Sequence, residues 1–159
     1  MVPGAHQGYR DRMHFDLVDR AVEQSADRIV TLKLVSGAEE YLRDHFPTFP
    51  VLPGVLMLEA MVQAGRRLAE ASDPQGMPFV LAKVRALKYG RFVKPGHTLR
   101  IEIERLKDPG DGTLDLRGEV VVIEPGITTV DSGENGSAAA SGRFTLRRAL
   151  VAKGAAGGV

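Results

Sequence analysis

Residues 53–71 carry the chain's only long helical pattern, apolar nearly all round from Val55 to Val62. A surface helix shows one apolar stripe, whereas a helix apolar on every side has to be enclosed. Pro53 suits a first helical position, where its missing N–H would have no partner anyway, and the SDPQG run after Ala71 stops the helix. The enclosing material must come from strands. Residues 17–24 and 28–36 have β-branched, partly alternating composition, with a short SAD turn between them. Ile29, Thr31, Lys33 and Val35 point to one side, and Val30, Leu32 and Leu34 to the other. The second set is wholly apolar, so it is expected to be the buried face. Four more strand-like segments follow at 79–92, 98–108, 113–124 and 137–150, split by KPGH, DPGDG and PGITTVDSGENG. The last connection is long enough to be a mobile loop. This order has no βαβ rhythm, so an α+β fold is expected: an antiparallel sheet of about six strands wrapped around one long buried helix.

A chain of 159 residues suits one domain with its own core. Residues 1–13 read as a flexible polar lead-in, 14–150 as the single domain, and the Ala/Gly-rich 151–159 as a disordered tail. The net charge of +1 gives no global electrostatic case for nucleic acid. The absence of cysteine excludes disulfides, thiolate metal sites and cysteine nucleophiles. His6, His14 and His97 show no ligand spacing, so no metal is expected. No apolar run reaches the roughly 18–20 residues that span a bilayer, and the N-terminus lacks the apolar core of a signal peptide. The expected location is the cytoplasm, with no membrane partner.

Chemistry concentrates in HFPTFPVLPG at 45–54 and the stretch after it. His45 lies in a segment stiffened by Pro47, Pro50 and Pro53. Glu59 lies among Leu, Met and Val, where a carboxyl is costly unless paired. Gln63 stands one helical turn on from Glu59, on the same face, where its amide can fix the carboxyl rotamer. Gly54 sits at the helix N-terminus, whose N–H groups lack intrahelical partners, and its missing side chain lets a ligand oxygen approach. A base, a carboxyl and an anion-stabilising helix end suit proton removal next to a carbonyl.

HFPTFPVLPGVLMLEAMVQ resembles the signature of the β-hydroxyacyl-acyl carrier protein dehydratases of type II fatty acid synthesis, whose fold is the hot-dog. The resemblance extends weakly over about residues 14–150, including the VDR near the start and the VKPG turn before TLRIEIE. It implies that His45 removes the α-proton of a (3R)-3-hydroxyacyl thioester and that Glu59 helps the β-hydroxyl leave. It also implies that the Gly54 N–H polarises the thioester carbonyl, with Gln63 in support. No cofactor is implied. The implied partners are acyl carrier protein and a second copy of the chain, since in this family the histidine of one subunit works with the carboxylate of the other; hexamers are frequent. Glu at 59 resembles the dehydratase-only branch, because the isomerising branch has Asp there. Three positions depart from the family: Asp44 and Thr48 stand where glycine is usual, and Phe49 where a polar residue is usual.

From Pro74 to Ile101 there is no acidic residue, while Lys83, Arg85, Lys88, Arg91, Lys94 and Arg100 accumulate. That run is either a docking patch for an acidic carrier protein or an ordinary solvated strand face. Two other functions stay open. A hot-dog acyl thioesterase would hydrolyse the thioester and would not need His45. A non-catalytic acyl-binding or assembly subunit would have its site blocked by the altered 44–49 loop.

Overall fold

A computed structural model describes residues 15–74, 76–126 and 138–150. The expected lead-in at 1–13, the tail at 151–159 and most of the 125–136 connection lie outside the described residues. Six strands form a single antiparallel sheet: β1 Arg20–Gln24, β2 Arg28–Leu34, β3 Phe79–Tyr89, β4 Thr98–Lys107, β5 Thr113–Ile123 and β6 Ala140–Arg148. Their spatial order is β1-β2-β4-β5-β6-β3. Among the described residues one long helix, α1, runs Gly54–Ser72, and a single 3-10 turn occupies Glu40–Leu42. α1 crosses one face of the sheet and packs on β2, β3, β4, β5 and β6.

Alternation puts every second residue of β4, β5 and β6 on that face. Leu99, Ile101 and Ile103 of β4, Leu116 and Val120 of β5, and Phe144 and Leu146 of β6 are all nearly inaccessible. They meet Met57, Met61, Ala64 and Leu68 of α1 in one core. Helix and sheet approach closely at Gly65, where a Cβ would lie 2.7 Å from Leu116 Cδ1 and 3.1 Å from the Phe144 ring. The most enclosed part of α1 is its middle, Ala60–Gly65, not the expected Val55–Val62; Val55 is 63% exposed. The second half is not simply solvated either, because Leu68 and Ala69 turn inward.

The face of β2 turned to the helix is the opposite of the expected one, although Val30 of the expected set is fully buried as well. Ile29, Thr31 and Lys33 pair with the inward Ile103, Ile101 and Leu99, whereas Leu32 and Leu34 pair with Arg100 and Thr98 on the outer face. Leu34 is half exposed. Lys33 sits on the inner face because it buries its aliphatic stem there. Its ammonium meets Glu39 at 2.9 Å and Asp19 at 3.4 Å. These two carboxylates hold the Lys33 pKa above its ordinary value against the desolvation that acts to lower it. In β3, a register break between Arg85 and Lys88 puts Ala86 at φ 51. Among the described residues, no helix is long and apolar enough to cross a membrane.

Candidate active site

The loop that carries His45 is built by local bonds. The Phe49 N–H donates to Phe46 O at 2.8 Å, closing a turn with Pro47 at its second position, where a fixed φ is favourable. The left-handed residue of this loop is Phe46, at φ 59, and not Thr48. The turn as folded here therefore does not require glycine at 48. Val51 and Leu52 are buried, and Leu52 N–H donates to Val93 O at 2.8 Å, pinning the loop to the segment after β3.

His45 Nδ1 lies 2.9 Å from Val51 O. A carbonyl can only accept, so the neutral ring carries its proton on Nδ1 and leaves the Nε2 lone pair free. The ring also meets Phe46 edge-on, with centroids 4.5 Å apart.

Glu59 lies on α1, half-buried, and its Oε1 accepts a 3.0 Å hydrogen bond from Gln63 Nε2. Gln63 itself is 3% exposed. Its Oε1 accepts from Leu17 N–H at 2.8 Å, and its Nε2 donates to Phe15 O at 3.2 Å. Because Leu17 N–H can only donate, the amide has one workable orientation, with its NH₂ facing Glu59. The 15–18 segment is held in turn by Arg67, which bonds Asp16 at 3.0 Å and Val18 O at 3.2 Å. The i,i+4 spacing of Glu59 and Gln63 was legible in the sequence. The Phe15 carbonyl and Leu17 N–H were not, since backbone groups have no sequence signature.

Gly54 opens α1 behind Pro53, with no side-chain cap and no acidic residue in the first turn. The space beside it is not open as expected. A Cβ on Gly54 would lie 2.9 Å from Cε1 of Tyr89, whose ring covers the glycine. Partial burial pushes the Tyr89 phenol pKa up. Around this corner Phe46, Phe49, Phe92 and Val55 are all exposed, with Phe49 edge-on to Phe92 at 6.1 Å.

Within one chain, no hydrogen bond or ion pair among the described residues joins His45 to Glu59; each is held separately. His97, for which the sequence suggested no role, accepts from Lys94 N–H in the turn before β4. Burial, with Arg91 and Lys94 nearby, lowers its pKa. No group of three or more acidic or imidazole side chains suited to a metal occurs among the described residues.

A family model described as ApeI-like, ApeI dehydratase, matches residues 21–121. The chain belongs to that dehydratase family. A 3-hydroxyacyl-[acyl-carrier-protein] dehydratase FabZ from Magnetococcus marinus is 46% identical over 100 residues, covering 60% of this chain and 65% of that protein. The FabZ of Oceanobacillus iheyensis is 40% identical over 116 residues, covering 69% of this chain and 83% of its relative. Among solved structures, the dehydratase heterocomplex ApeI:P from Xenorhabdus doucetiae matches with a TM-score of 0.54 at 19% identity, over 82% of this chain and 96% of that one. This likeness bears on fold alone, and it agrees with the hot-dog arrangement of one helix in a six-stranded sheet.

Proposed function

We propose that this dehydratase family member converts (3R)-3-hydroxyacyl thioesters on acyl carrier protein to trans-2-enoyl thioesters, in fatty acid biosynthesis in the cytoplasm. The observation that carries the mechanism is the pair of separately oriented groups. His45 keeps Nε2 free for a proton, and Glu59 is presented by Gln63 with one oxygen occupied.

In this reading His45 Nε2 takes the α-proton, and the electron pair moves toward the thioester carbonyl. The uncapped N–H of Gly54 receives the charge that develops on the thioester oxygen. The Cβ–O bond breaks, and the oxygen of Glu59 not held by Gln63 delivers the proton with which hydroxide leaves as water. The His45 proton then returns to solvent and Glu59 is reprotonated. The net change is loss of one water, with no redox partner.

Because His45 and Glu59 are not joined within one chain, we propose a dimer in which His45 works with the partner subunit's Glu59. The exposed apolar corner of Phe46, Phe92 and Val55 supports a covered surface there. Presenting 3-hydroxyacyl and saturated acyl thioesters side by side tests the reading. Dehydration of the first without hydrolysis of either supports it. Release of free thiol from both instead indicates a thioesterase.

A further inference from the structure

The edge strand β3 does not run regularly along β6. Val84 and Arg85 pair with Phe144 and Arg143, whereas Lys88 and Tyr89 pair with Ser141 and Ala140. One extra residue of β3 is therefore inserted between Arg85 and Lys88, where Ala86 takes φ 51. Left-handed backbone at a residue other than glycine is strained.

The bulge changes which face Tyr89 occupies. Val84 lies opposite Phe144, a buried residue of the inner face, so plain alternation from Val84 would send Tyr89 outward. The extra residue inverts that phase. Tyr89 pairs instead with Ala140, which is fully buried on the side of α1. Bulges beside active sites re-aim side chains in this way. Gly90 fixes the end of the strand: its N–H donates to Ala139 O at 3.0 Å, and a Cβ there would run into Ala138 O.

What the re-aimed side chain reaches is the start of α1. Tyr89 Cε1, Cζ and Cδ1 lie 2.9, 3.0 and 3.2 Å from the place of a Gly54 Cβ. Cα–Cβ bonds of a helix tilt toward its N-terminus, the end at which the first N–H groups lack partners. The edge of the ring that carries the hydroxyl is thus set at the open end of the helix. Among the described residues, neither Gly54 N–H nor the Tyr89 hydroxyl has a hydrogen-bond partner. Desolvation holds the phenol pKa above its ordinary value, so at neutral pH the group is a donor.

We propose that Tyr89 is a further catalytic residue, whose hydroxyl donates a second hydrogen bond to the thioester oxygen beside the N–H of Gly54. This rests on the dehydratase reading above. As His45 takes the α-proton, the electron pair of the C–H bond moves toward that oxygen, and it returns as the Cβ–O bond breaks. Tyr89 keeps its proton throughout. Two donors aimed where the charge develops bind the transition state more tightly than the substrate.

The test compares wild type with Tyr89→Phe, which keeps the ring over Gly54 and removes only the hydroxyl. Steady-state kinetics on a 3-hydroxyacyl carrier-protein thioester is one readout. The other is the infrared carbonyl band of a bound saturated acyl thioester, isotope-labelled at its carbonyl carbon. Tyr89→Phe should lower kcat roughly 10–100-fold with KM within about twofold, toward the low end for an oxyanion donor because Tyr89 is half-exposed. Its carbonyl band should lie at higher frequency than in wild type, and its thermal midpoint should be unchanged. A ring that serves only as a wall would leave both readouts at wild-type values. Wild-type kcat in Tyr89→Phe, or slower turnover with an unshifted band, overturns the proposal. A wild type that fails to dehydrate the substrate overturns the functional reading instead, so the two failures remain distinct.

Discussion

Gln63 holds Glu59: its Nε2 donates a 3.0 Å hydrogen bond to the carboxylate one turn earlier, while its Oε1 is taken by Leu17 N–H. The amide cannot flip without facing two donors or two acceptors together. Glu59 therefore inherits its orientation from the backbone of the 15–17 segment.

Gln63→Leu should leave the buried Leu17 N–H unpaired, costing about 1–3 kcal/mol of stability. It should also release Glu59 and lower kcat roughly 10–100-fold, with KM little changed, as for a displaced catalytic group. Gln63→Glu restores an acceptor for Leu17 but no donor for Glu59. Denaturant titration should show partial recovery of stability, while steady-state kinetics should not recover.

Two glycines of α1 should respond differently to alanine. At Gly65 the new methyl meets buried Leu116 and Phe144, so Gly65→Ala should cost about 1–3 kcal/mol by overpacking. At Gly54 it meets only the half-exposed Tyr89 ring, which can swing outward. Gly54→Ala should then cost less than about 1 kcal/mol in a chemical melt, while dehydration falls because the ring is displaced beside the proposed carbonyl site. A Tyr89→Ala second change should recover stability.

Much of this architecture is legible in the sequence. The all-apolar stretch of α1 requires enclosure, and the alternation in β4, β5 and β6 supplies the enclosing face. Lys33 hides the inner face of β2 from the sequence pattern, since an ion-paired lysine counts as polar although it lies inside. At the site, the 45, 54, 59 and 63 spacing was visible. Tyr89 over Gly54 was not, because a contact between a helix start and the end of a strand leaves no local pattern in the sequence.

Acid stability should depend on Glu102. Hydrogen bonding from Arg28, with Arg100 adding to it, holds its carboxyl below the usual glutamate range. A folded-state pKa below the unfolded value of about 4.3 gives stabilisation that is present above that pH. It is lost as pH falls through the folded value. Glu102→Gln should lower stability at neutral pH by about 1 kcal/mol. It should also make the pH 2–5 range of the urea midpoint flatter than in wild type.

If the site is shared, two inactive variants should complement each other. Unfolding and refolding His45→Ala with Glu59→Ala together gives mixed dimers in which one site has both wild-type residues. Activity should reappear on mixing and approach a quarter of the wild-type value, since half the dimers are mixed and each has one intact site. No recovery from well-folded mixed dimers contradicts the shared arrangement.

The most direct measurement is product formation from a (3R)-3-hydroxyacyl carrier-protein thioester by wild type, His45→Ala and Glu59→Ala, each verified as folded. Wild type should form the trans-2-enoyl thioester with its thioester bond intact, and each variant should be slower by about 10²–10⁴-fold. Wild-type-like turnover in either variant, or free acid and thiol as the wild-type products, contradicts the account.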